Sequence, residues 1–110
     1  MKEPIIYVSH IRDAIALIEE FTINIDKKGL EKSKLIQSAV FRQIEIMGEA
    51  SKNVSSEFRK KHENIPWSKI AGMRDMLIHQ YFSVDTEKVW DVIRNDLPKL
   101  KTDIQKILQK

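Results

Sequence analysis

Arg74, Asp75, His79 and Tyr81 set a guanidinium, a carboxylate, an imidazole and a phenol within eight consecutive positions. Such groups suit cleavage of a phosphodiester without a metal. An imidazole, whose pKa lies near neutrality, can take the proton from a ribose 2′-hydroxyl or give one to a leaving 5′-oxygen. A guanidinium can neutralise the charge that builds on the phosphoryl oxygens. On a helix, positions 75 and 79 lie about 40° apart one turn from each other, so Asp75 can orient His79 and stabilise its charged form. Positions 74 and 81 lie about 20° apart if the helix persists that far. Positions 74 and 79, however, lie about 140° apart and cannot both face one small target. Either the helix distorts at its end, or the arginine swings round, or a second chain completes the geometry. One histidine also cannot hold both protonation states at once, so a symmetric dimer with two copies of His79 near its axis is attractive.

By itself, an arginine five residues before a histidine is a weak pattern, and structural ion pairing accounts for it more readily than catalysis. Glu45 and Glu49 stand one helical turn apart and read as a solvated face rather than a metal site. Glu49, next to Gly48, is expected to hydrogen-bond or ion-pair near the Arg74 helix as a support. His10 and His62 have no partner at a diagnostic spacing and receive no catalytic role. The densest basic run, Arg59-Lys60-Lys61-His62, reads as a solvated helix face before an RNA contact. The absence of cysteine excludes disulfides, thiolate metal sites and cysteine nucleophiles. No metal or cofactor is expected. A net charge of +3 permits contact with phosphate without indicating it.

The elements that position these groups are helical throughout. With 110 residues, 42% hydrophobic and 32% charged, the chain is expected to form one soluble domain over residues 1–110. The apolar run Pro4–Val8 is too short for a signal peptide or a membrane span, and no later stretch is long enough to span, so a soluble protein is expected, and the lack of cysteine fits a reducing cytoplasm. Tyr7, Ile11, Ala14, Ile15, Ile18, Phe21 and Ile25 recur at three- and four-residue steps, predicting a first helix from Pro4 to Lys27 with Gly29 as its left-handed cap. Leu35, Ala39, Val40, Ile44, Met47 and Val54 predict the core face of a second helix, Leu30 to Asn53. Gly48 inside it costs roughly 1 kcal/mol against alanine, which predicts close approach of another backbone. A serine of Ser55-Ser56 caps a short helix ending near His62 or Glu63. Pro66 ends a turn before a fourth helix that carries Ile70, Met73 and Leu77, with a small-residue patch at Ala71 and Gly72. That patch and the unmet arginine–histidine geometry predict a dimer. Trp67 and Trp90 are expected as apolar anchors. Asp85 caps the last helix, which Pro98 should kink or split. Strand alternation is absent, so the fold class is an all-α bundle of four to five helices.

With these motifs in place, the chain resembles the HepT-like branch of the HEPN superfamily. The likeness rests on Arg42-Gln43-Ile44-Glu45-Ile46-Met47-Gly48-Glu49-Ala50, on Ile65-Pro66-Trp67, on Ile70-Ala71-Gly72-Met73-Arg74-Asp75, and on His79-Gln80-Tyr81. Val84-Asp85, Val89-Trp90 and Asp96-Leu97-Pro98 follow in order. The superfamily pattern of arginine, a polar residue, three variable residues and histidine is matched by Arg74, Asp75 and His79, and the branch's added tyrosine by Tyr81. The resemblance implies an antiparallel bundle that dimerises across a shared cleft. It implies a metal-independent endoribonuclease acting on RNA as the toxin of a toxin–antitoxin pair, with Arg74 and His79 catalytic. It also implies an MntA-type nucleotidyltransferase as antitoxin, which transfers adenylyl groups from ATP to the tyrosine matched by Tyr81. A non-catalytic module that presents Tyr81 to such an enzyme, with Arg74 and His79 binding nucleotide phosphate, would use the same residues.

Overall fold

The computed structural model describes residues 3–79 and 85–109, apart from the side chains of Ile78 and His79. All regular structure among the described residues is helical, as the periodicity predicts.

Helix α1, Pro4–Thr22, opens on a proline whose missing N–H is not needed in a first turn. It buries Val8, Ile11, Ala14, Ile15 and Ile18 along one stripe. It stops at Thr22, short of the expected Lys27, with the Thr22 hydroxyl donating back to the Ile18 carbonyl at 2.8 Å. The Asp26 carboxylate then accepts from the Gly29 N–H at 2.8 Å and starts a separate short helix, α2, Lys27–Lys32. Ser33 repeats the device: its hydroxyl accepts from the Ile36 N–H at 3.1 Å and opens α3, Lys34–Asn53. Two capping side chains therefore divide what periodicity reads as two long helices into three. Gly29 lies inside α2, not in a left-handed cap; no described glycine has a positive φ.

Gln37 is buried, and its amide donates to the carbonyls of Leu30 at 2.9 Å and Glu31 at 3.0 Å, satisfying acceptors that the end of α2 leaves open. Leu30 takes the core place at this end. Leu35, expected on the core face, stands in the first turn of α3 and is 81% exposed.

Helix α4, Ser56–Lys61, has Ser55 as its cap, accepting from the Phe58 N–H. Arg59 leaves the basic run to close the end of α3, donating to the carbonyls of Val54 at 3.0 Å and Lys52 at 3.2 Å. Helix α5 spans Trp67–His79. Trp67 is an apolar anchor, buried against Phe58, with its indole N–H donating to the His62 carbonyl at 3.0 Å. Helix α6, Thr86–Asp91, is capped by Asp85 through the Glu87 N–H. It runs through a π-helical turn, Val92–Asp96, into α7, Leu97–Leu108. The expected break at Pro98 takes this form because the widened turn moves a carbonyl away from the proline ring one turn later. Trp90 is only half-buried, with the Arg94 guanidinium 4.4 Å above its ring.

Helix α3 lies at the centre, packed on α1 on one side and α5 on the other, while α7 closes against α1. Ile11, Ile15, Ile18, Val40, Met47, Ile70 and Ile104 are all buried in the core they share. The start of α1 lies beside the second half of α3, and the short α2 joins their other ends, so these two helices run antiparallel.

Candidate functional site

Helices α3 and α5 meet at Gly48. A Cβ there would stand 2.2 Å from the Cβ of Arg74 and 3.2 Å from its Cγ and Cδ, so only glycine lets the arginine stem lie across α3. The sequence predicts close approach of a backbone at Gly48; the approaching group is the aliphatic stem of Arg74. One helical position further, Glu49 receives the guanidinium, with Nε 3.1 Å from its Oε2. The Asp75 carboxylate takes the other side of the fork, Oδ1 lying 3.3 Å from an Arg74 terminal nitrogen and 2.6 Å from Lys52 Nζ. Glycine, glutamate and aspartate thus hold Arg74 by its stem and by its head. With 27% of its side chain still exposed, and five donors on a guanidinium, the outer edge of the fork can still reach an anion.

The structure therefore brings Arg74, Asp75 and Glu49 together. It does not relieve the angular problem by a break, because α5 is helical through His79 and position 79 stays about 140° round from position 74. The His79 ring and the whole of Tyr81 lie outside the described atoms. Gly72, part of the small-residue patch from which a dimer is expected, has nothing among the described residues, its chain neighbours and own helix backbone aside, within 4 Å of where its Cβ would be. No group of three or more His, Asp or Glu side chains among the described residues comes together as a metal site.

Beside Arg74 opens a cleft of about 370 Å³. Tyr7 and His10 of α1 form one wall, and Arg42, Glu45, Glu49 and Asn53 of α3 the other. The residue spacing does not predict this cleft, and it gives His10 no catalytic role. A signal was present: Arg42, Glu45, Glu49 and Asn53 follow three- and four-residue steps and so share one helix face. What the spacing does not contain is that α1 brings an imidazole and a phenol to face it. The Tyr7 and His10 rings meet edge to face, their centroids 6.1 Å apart.

Comparison with known proteins places the chain in a family. The family model described as "Ribonuclease HepT-like" matches residues 11–107. The chain is 46% identical over 101 residues to a "Probable ribonuclease HepT" of Thermococcus cleftensis, covering 92% of each chain. It is 41% identical over 110 residues to a "Putative RNase" of Caldanaerobacter subterraneus, covering all of this chain and 98% of that one. A longer relative, the "Gamma-glutamylcyclotransferase and putative RNase" of Methanocaldococcus jannaschii, is 48% identical over 108 residues, and the chain spans 49% of its length. No solved structure matches the chain. No helix among the described residues is long and apolar enough to cross a membrane. The Arg74 motif lies inside the matched span, and on that span the chain belongs to the HepT-like ribonuclease family.

Proposed function

We propose that this chain is a single-domain, metal-independent endoribonuclease of the cytoplasm, acting as a homodimer and as the toxin of a toxin–antitoxin pair. The observation that carries the reading is the fixing of Arg74, held by Gly48, Glu49 and Asp75 beside an open cleft and one motif away from His79. Relatives named as ribonucleases along most of the chain support the same activity.

In this reading RNA lies with a phosphate against the outer edge of the Arg74 guanidinium. His79 of one subunit takes the proton from the ribose 2′-hydroxyl, and the freed oxygen attacks phosphorus. Arg74 neutralises the charge that accumulates on the non-bridging oxygens. His79 of the second subunit, already protonated, gives its proton to the departing 5′-oxygen. The products are a 2′,3′-cyclic phosphate and a free 5′-hydroxyl. A dimer supplies both protonation states, and it also answers the separation of positions 74 and 79 on one helix. An MntA-type nucleotidyltransferase silences the enzyme by adenylylating Tyr81, since anionic nucleotides beside Arg74 and His79 would exclude RNA.

The test is cleavage of RNA by the purified protein in EDTA. His79→Ala is expected to abolish cutting while its helical circular dichroism stays that of the parent. Equal cutting by the variant would remove His79 from the mechanism, and a monomer by light scattering at micromolar concentration would remove the paired-histidine scheme.

A further inference from the structure

The cleft between α1, α3 and α5 is lined by two arginines and two glutamates, of which Arg74 and Glu49 are ion-paired with each other. Arg42 and Glu45 stand one turn apart on α3 and line the same cavity, yet neither makes an ion pair among the described residues. On the opposite wall, His10 and the Tyr7 ring offer a second potential cation and an aromatic surface. A cavity of about 370 Å³ falls in the range that encloses a small ligand. The ligand that fits has an anionic end, a flat ring and an edge of hydrogen-bond donors.

We propose that this cleft is a nucleotide subsite, which holds one nucleotide of single-stranded RNA next to the phosphate at Arg74. Arg42 and His10 take the nucleotide's own phosphate, and the base lies along the Tyr7 ring. Glu45 reads the base edge. Single-stranded RNA is the form whose bases can be splayed onto an aromatic side chain and read along the Watson–Crick edge. A carboxylate only accepts, and guanine alone presents two adjacent donors, N1–H and the 2-amino group, on that edge. Adenine and cytosine set a ring-nitrogen acceptor beside their amino group, and uracil flanks its single N–H with two carbonyls. The subsite therefore selects guanosine. This inference rests on the reading of Arg74 as the group that meets the scissile phosphate, and it adds which neighbouring nucleotide is chosen and by what.

The experiment measures binding of short, labelled 2′-O-methyl oligoribonucleotides, which lack the attacking hydroxyl, by fluorescence anisotropy across a salt series. Cleavage sites on an unstructured RNA pool are mapped in parallel. Wild-type protein is expected to prefer a guanine-containing oligomer over an oligouridine. Arg42→Ala should weaken binding roughly tenfold, the loss of one charge-assisted contact, and lower the salt slope by about 0.7, the value for one phosphate contact on a single strand. Glu45→Gln should bring affinity for the guanine oligomer down towards that for oligouridine and broaden the cut sites. If both variants bind with wild-type affinity, base preference and salt slope, the subsite is wrong, whatever the protein cleaves. If the oligomers bind with the stated dependence on Arg42 and Glu45 but no RNA is ever cut, the subsite stands and the ribonuclease reading falls.

Discussion

Replacing Gly48 by alanine isolates the contact that positions Arg74. In an ordinary helix interior this change stabilises by about 1 kcal/mol, because glycine is the more flexible residue when unfolded. Here the new methyl would stand 2.2 Å from the Arg74 Cβ, where carbon atoms pack at about 3.5–4.0 Å. That Cβ is fixed to the backbone, so no rotamer change relieves the overlap. Helices α3 and α5 must separate by more than an ångström, or the end of one must tilt. Overpacking of this kind costs about 1–3 kcal/mol, and a backbone-borne clash belongs at the upper end. Set against the helix-propensity gain, the expected outcome is a loss of about 2 kcal/mol, lowering the melting temperature by roughly 10 °C. Thermal and urea unfolding followed by circular dichroism reads this directly. RNA cleavage should fall further than the folded fraction does, because the surviving native molecules hold Arg74 out of place. A Gly48→Ala protein that is more stable than its parent would refute the close α3–α5 contact, since propensity alone predicts a gain.

Glu49→Gln removes the charge opposite Arg74 Nε at a position where the carboxylate is well exposed, so stability should shift by less than about 1 kcal/mol. Turnover of RNA should nevertheless drop, and single-turnover kinetics alongside urea denaturation separate the two effects. Gln37→Leu leaves the Leu30 and Glu31 carbonyls without their buried donor and should destabilise by about 1–3 kcal/mol, read by the urea midpoint. The Lys27 ammonium donates to Glu87 at 2.7 Å, and this hydrogen bond raises the Lys27 pKa above the ordinary lysine value. A raised value means that the tie between α2 and α6 contributes fully at neutral pH and is lost only as pH climbs through the folded-state pKa. Lys27→Met should flatten that alkaline fall in melting temperature; an unchanged alkaline limb would show that the pair adds nothing.

Helix content and the buried stripe of α1 are legible in the sequence because they are local. A period of three to four residues records which face is covered, without recording by what. The caps at Ser55 and Asp85 are equally local, a side chain reaching two or three residues along its own chain. Asp26 and Ser33 work in the same way, but the apolar steps run on across them, so periodicity alone merges helices that those side chains separate. The spacing of Arg74 and His79 alone reads more readily as structural ion pairing, and it points to chemistry only through the family-like segments around it. What tertiary structure decided was the company these residues keep. Gly48 became intelligible once the stem of Arg74 was seen to lie on it, and Leu35 turned outward because Leu30, from a different helix, fills that end of the core. His10 and Arg42 are separated by most of two helices in the chain and share a cleft only because α1 and α3 run antiparallel. Contacts between distant positions depend on how helices cross, which no periodicity within a single helix encodes.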